Sequence, residues 1–177
     1  CGHRAARVLD TGRDTWRSEG RPWTVEPSRP EPTAFRVPAE VDTVRASRAT
    51  VEAAIGSADH TILDVRSDLE YVGERFWPSG GIPEGGRAGR IPSAVHVPID
   101  GLVGPDGAFR PPAQLAEILS PVDLAGDGPI TTYCTVGARA ATAWFALTEL
   151  LGRDNVRVYD GSWAEWGMSP TTPIERG

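Results

Sequence analysis

Beyond residue 46, short apolar runs alternate with stretches of helical periodicity. Thr61-Ile62-Leu63-Asp64-Val65, Ala94-Val95-His96-Val97, Pro129-Ile130-Thr131-Thr132-Tyr133 and Val156-Arg157-Val158-Tyr159 are brief and rich in β-branched or aromatic residues, so each predicts a buried strand. Before the first of them, Val51, Ala54 and Ile55 fall at helical spacing within residues 46–58, and between the second and third, residues 111–119 open with prolines suited to a first helical turn. The strongest helix runs from Gly137 or Ala138 to Leu151, carrying Trp144, Phe145, Leu147 and Leu150, and closes at Gly152. Strands alternating with helices predict an α/β domain with a mostly parallel sheet. Residues 73–90 hold many Gly and Pro and predict a long loop.

Upstream the pattern changes. Pro22, Pro27, Pro30, Pro32 and Pro38 stand among charged residues, which favours an extended connector. Before it, Val8-Leu9-Asp10 and Trp16 return at a constant offset as Val158-Tyr159-Asp160 and Trp166. This repeat predicts that residues 1–22 are the remnant of a preceding, related unit, that 23–46 are a Pro-rich linker, and that 47–177 form the main domain. Cys1 in the place of an initiator Met adds the expectation of a fragment or processed product.

Composition narrows the chemistry. The net charge is -6 and no basic run tracks a phosphate backbone, so nucleic acid is not an expected partner. No stretch reaches eighteen consecutive apolar residues, so neither a membrane span nor a signal peptide is expected, and the default is a cytoplasmic protein. Every basic residue is arginine, which removes Schiff-base, Walker-lysine and Ser-Lys chemistry. Cys1 and Cys134 lie far apart, and His3, His60 and His96 lack metal-ligand spacing, so neither a disulfide scaffold nor a metal site is expected.

Cys134 is the chemical focus. It stands between a buried strand and a helix N-terminus, where unpaired backbone N–H groups and the helix dipole favour an anion and hence thiolate. Arg139 adds positive charge five residues on, and Gly137 lets the backbone turn into a tight cradle.

These residues resemble the rhodanese, or thiosulfate sulfurtransferase, family from about Ser47 to Gly177. The marks are Leu63-Asp64-Val65-Arg66, Gly89-Arg90-Ile91-Pro92-Ser93-Ala94, Tyr133-Cys134-Thr135-Val136-Gly137-Ala138-Arg139 and Tyr159-Asp160-Gly161-Ser162-Trp163-Ala164-Glu165-Trp166-Gly167. The resemblance is to the catalytic C-terminal domain of two-domain members. It implies a rhodanese-like α/β fold with a five-stranded, mostly parallel sheet and helices on both faces, and it implies no cofactor. By the same resemblance Cys134 takes the outer sulfur of thiosulfate, or of a related small anionic donor, as a persulfide and yields it to a thiophilic acceptor such as cyanide or a thiol. The loop residues Thr135, Val136, Gly137, Ala138 and Arg139 would bind substrate, with Arg66 the first choice of substrate cation and Arg139 the second. Asp64 and Asp160 are assigned structural roles, Trp163 and Trp166 core or rim positions, and His96 no catalytic part.

The pattern departs from thiosulfate-specific members, which carry basic residues where this chain has Thr135 and Val136, and from mercaptopyruvate-specific members, which have Ser at the position of Val136. Arg90 and Ser93 replace a more usual His and Gly. Two other functions compete: a catalytically weak rhodanese-like binding module, and a phosphatase or arsenate reductase of the same fold, whose loop is one residue longer between Cys and Arg. A homodimer or partner subunit is expected over the face that a first domain would cover.

Overall fold

The computed structural model describes residues 6–34, 36 and 44–177, so Cys1, His3 and Pro38 lie outside the described residues. Four parallel strands form the sheet: β1 (Thr61–Asp64), β2 (Val95–His96), β3 (Ile130–Tyr133) and β4 (Val156–Val158), in the order β2-β1-β3-β4. The expected fifth strand is a correction. Among the described residues only a single bridge, Arg45 to Val158, extends the free edge of β4, held by Ala46 N donating to Val158 O and Val158 N donating to Val44 O. One bridge fixes too few residues to make a strand, yet it seats residues 44–46 on the sheet.

The expected helices fall close to their places, and α3 is an addition to them. Helix α1 (Arg13–Ser18) precedes the connector, and α2 (Arg48–Ala54) starts at Ser47, whose hydroxyl caps Thr50 N. Helix α3 (Asp68–Tyr71) is a single turn after β1, and α4 (Pro112–Ile118) begins on proline. Helix α5 (Ala138–Phe145) runs on as a π-helical stretch, Ala146–Leu150, and α6 (Ser162–Trp166) follows β4.

Strand periodicity divides the side chains between two cores. Leu63, Val65, Ile130 and Cys134 face α4 and α5. Ile62 and Tyr133 face the other way, toward Phe76, Trp163 and Trp166. Both tryptophans are fully buried, so they are core residues.

The Gly- and Pro-rich segment 73–90 has no helix or strand but is anchored. Arg87 donates to Thr172 O and Oγ1 and to Ser169 O, and Arg90 pairs with Glu175 through both backbone and side chain. At the other end of the chain, Gly12 N and Thr15 Oγ1 both donate to Asp106 O, and Asp10 accepts from Phe109 N. The N-terminal segment is thus tied to the 103–109 turn, while residues 19–34 are exposed and lack regular structure.

Candidate active site

Strand β3 delivers Cys134 to the sheet's C-terminal edge, and the chain turns at Gly137 into α5. Gly137 has φ 86°, and a Cβ there would stand 2.7 Å from Asp160 Oδ1 and 2.9 Å from Asp160 O. Glycine is therefore required both by the left-handed backbone and by the close approach of Asp160. The loop is tied to α6 from behind: Ser162 Oγ accepts from Cys134 N at 3.2 Å, Trp163 N donates to Cys134 O at 3.0 Å, and Ala164 N donates to Thr135 O at 2.9 Å.

The amides beyond Cys134 are oriented differently. From Thr135 through Ala140, no backbone N–H finds an acceptor among the described residues; the first amide of the turn to be taken is Ala141 N, by Gly137 O at 2.9 Å. Such a run of free donors around a cysteine at a helix start is an anion cradle. Cys134 itself is 1% exposed, whereas Val136 at the loop's tip is 59% exposed.

The expected first choice of substrate cation needs correcting. Arg66 is 0% exposed and points away from Cys134, because strand alternation places Asp64, Arg66 and Tyr133 on one face of the sheet and Val65 and Cys134 on the other. Its guanidinium holds Asp64, with Nη2 to Oδ2 at 2.6 Å and Nε to Oδ1 at 3.0 Å, and donates to Gly89 O at 2.8 Å. It also lies 4.5 Å from the Trp163 ring centre. Burial alone would lower its pKa, but the groups around it, Asp64 foremost with Tyr133 and Glu70, together raise it. Tyr133 completes the cluster by donating to Asp64, and burial pushes its phenol well above the ordinary range. Asp64 is structural, as expected.

Arg139 does reach the loop, but it arrives with a partner absent from the sequence reading. Glu70, fully buried on α3, accepts from Arg139 Nη1 at 2.9 Å and Nη2 at 2.8 Å, from Thr135 Oγ1 at 2.5 Å, and from Ser67 N and Oγ at 3.1 and 2.8 Å. Burial opposes ionisation of this carboxyl; the hydrogen bonds from Arg139, Thr135 and Ser67 overcome it and hold the pKa at about 2. Arg139 Nη2 also donates to Thr135 Oγ1 at 2.6 Å; burial acts to lower the Arg139 pKa, and Glu70 first and Cys134 after it more than offset that and raise it.

Of the remaining residues, His96 pairs in register with Asp64, stacks on Tyr71 with ring centres 4.1 Å apart, and places Nε2 2.8 Å from Arg66 O. It faces away from Cys134. Among the described residues no cluster of His, Cys, Asp and Glu could hold a metal ion, and no helix is long and apolar enough to cross a membrane.

A cysteine in an amide cradle between a parallel strand and a helix is a site for thiol chemistry on an anionic group, and comparison with known proteins gives the family. The rhodanese-like domain matches residues 47–169, and the chain belongs to that family. It is 39% identical over 181 residues to the sulfur carrier protein TtuD of Thermus thermophilus, with 99% of this chain and 63% of that protein covered. It is 36% identical over 178 residues to a protein of Mycolicibacterium smegmatis named for thiosulfate sulfurtransferase activity, again with 99% and 63% covered. The chain thus spans less than two thirds of the length of these relatives. Among solved structures, a variant of EanB with ergothioneine covalently linked to a cysteine persulfide superposes with a TM-score of 0.83 at 26% identity, over 99% of this chain and 42% of that one. An anaerobic ergothioneine biosynthesis enzyme from Chlorobium limicola gives 0.81 at 26% identity, over 97% and 41%. Of these proteins, TtuD is named as a sulfur carrier, and the EanB variant holds a persulfide on a cysteine.

Proposed function

We propose that this chain is a sulfurtransferase that moves sulfane sulfur from thiosulfate, or a related donor, to a thiophilic acceptor through a persulfide on Cys134. The observation that carries the reading is the run of free amides from Thr135 to Ala140 around the thiol. The Cys134 thiolate attacks the outer sulfur of thiosulfate; a Cys134 S–S bond forms, the donor's S–S bond breaks, and sulfite leaves with the electron pair. The persulfide's terminal sulfur is then attacked by cyanide or a thiol, which regenerates the thiolate. In both steps negative charge stays at the mouth of the loop, where donors fixed in advance stabilise it without reorganisation. Thr135, Val136, Gly137, Ala138 and Arg139 form that cradle, and Cys134 is the catalytic residue.

The loop length favours sulfur over phosphorus. Four residues separate Cys134 from Arg139, and a ring of amides this tight suits a sulfur atom better than a tetrahedral oxyanion. Thiocyanate should form from thiosulfate and cyanide with the intact chain and not with Cys134→Ser, and an aryl phosphate should stay uncleaved. Phosphate release that depends on Cys134 would reverse the assignment, and an inactive but well-folded wild type would favour a binding module.

The same reading divides the chain into a remnant (1–22), a linker (23–46) and a catalytic domain (47–177), acting in the cytoplasm. It also places a second copy or a partner subunit beside the N-terminal segment. Val8 and Leu9 are exposed there, and Val8 lines an open apolar hollow of about 380 Å³ with Phe109, Trp144 and Phe145. Sedimentation should reveal self-association that weakens in Val8→Glu; a monomer at every concentration speaks against a homodimer.

A further inference from the structure

Thiosulfate carries two negative charges, and both leave on sulfite. A site that prefers it needs fixed positive charge near the mouth to receive them. Here the guanidinium groups of Arg66 and Arg139 are both compensated. Arg66 is held by Asp64 on the opposite face of the sheet. Arg139 spends both terminal nitrogens on Glu70, and one of them also on Thr135. The Glu70 carboxylate is fully buried and close to the loop through Thr135, so Arg139 and Glu70 together add no net charge beside Cys134.

The outer side of the loop points the same way. Val136 and Ala138 are exposed and apolar. The carboxylate of Asp160 stands against Gly137, and its ion pair with Arg45 at 3.7 Å is solvent-exposed and contributes little. A donor approaching this mouth meets amide dipoles, two apolar side chains and negative charge.

Resting on the Cys134 persulfide reading above, we propose that the preferred donor is an alkyl persulfide, R–S–SH or its monoanion, and that Glu70 is the positioning residue that sets this preference by neutralising Arg139. Cys134 thiolate attacks the terminal sulfur of R–S–SH; the Cys134 S–S bond forms as the donor's S–S bond breaks, and R–S⁻ departs with the electron pair. The transferred sulfur keeps its proton or releases it to water, so no oxidant or reductant is consumed. The leaving group carries one charge rather than two, and its alkyl part can rest on Val136 and Ala138.

The test is single-turnover loading of the whole chain, followed by mass spectrometry of the Cys134 peptide. Donors are thiosulfate and the persulfide of 2-mercaptoethanol, each over a range of potassium chloride and each normalised to its reaction with a free small thiol. Normalised loading should favour the persulfide. Salt should accelerate loading from thiosulfate, because screening relieves repulsion, and change loading from the persulfide much less. Glu70→Gln removes one negative charge beside the loop and should shift the donor ratio toward thiosulfate by about tenfold, the effect of one charge acting on one extra donor charge at roughly 8 Å and intermediate dielectric. A purely structural Glu70 would slow both donors alike and leave the ratio unchanged, overturning the proposal. Thiosulfate loading that is favoured, or that slows with salt, also overturns it while leaving the sulfurtransferase reading intact; should Glu70→Gln not fold, the wild-type salt dependence decides. No adduct from either donor defeats both readings.

Discussion

Arg66→Ala should unfold the domain at a much lower denaturant concentration while changing the affinity for sulfur donor little in whatever protein remains folded. The substitution leaves the Asp64 carboxylate fully buried without the guanidinium that pairs with it. Removing one partner of a buried ion pair costs about 3–5 kcal/mol, because the other charge stays desolvated and uncompensated. Packing is lost as well, since Arg66 lies against the Trp163 and Tyr133 rings. A domain of ordinary stability holds about 5–15 kcal/mol, so a loss of this size should be plain in equilibrium unfolding followed by tryptophan fluorescence. A stable variant with a raised KM for the donor would instead return Arg66 to the substrate site.

Gly137→Val should have the larger effect on chemistry. A side chain at φ 86° costs about 1–2 kcal/mol from backbone handedness alone, and a β-branched one more. The added Cβ would also meet the backbone carbonyl of Asp160, which cannot swing aside as a side chain does. The loop must therefore open, and the amides from Val136 to Arg139 lose their common focus. Displacement of catalytic groups by about 1 Å can cost on the order of a hundredfold in rate, so sulfur loading of Cys134 should fall by at least that much while far-ultraviolet circular dichroism stays close to wild type. Gly137→Ala should lie between the two. Unchanged loading in Gly137→Val would show that the cradle is not what activates the thiol.

The strands and the long helix were legible because burial on both faces of a parallel sheet demands continuous apolar runs, and α5 carries the alanines and large apolar residues of a core helix. The loop was legible for the same reason: a cysteine between such a strand and such a helix has few other places to be. Arg66 follows the strand end in sequence, and the family resemblance makes it the substrate cation, but that nearness does not carry its side chain to the thiol. Counting by twos along Asp64-Val65-Arg66 would have put Arg66 beside Asp64 and across the sheet from Cys134. Glu70 was missed because a glutamate in Asp68-Leu69-Glu70 looks like surface, and α3 is too short to show periodicity. A signal did exist: Ser67-x-x-Glu70 is a capping box, and its glutamate is fixed at a helix start beside the strand end. The fifth strand was expected from the family and not from the residues. Only the bridge at Arg45 stands near its place.

Direct observation of the sulfur is the measurement closest to the central claim. The intact chain is exposed to a sulfane donor, freed of excess, and its mass and that of the Cys134 peptide are recorded before and after cyanide. The account predicts a gain of one sulfur atom on Cys134, removed by cyanide with release of thiocyanate and absent in Cys134→Ser. A wild-type chain that stays folded and takes up no sulfur at Cys134 would contradict it.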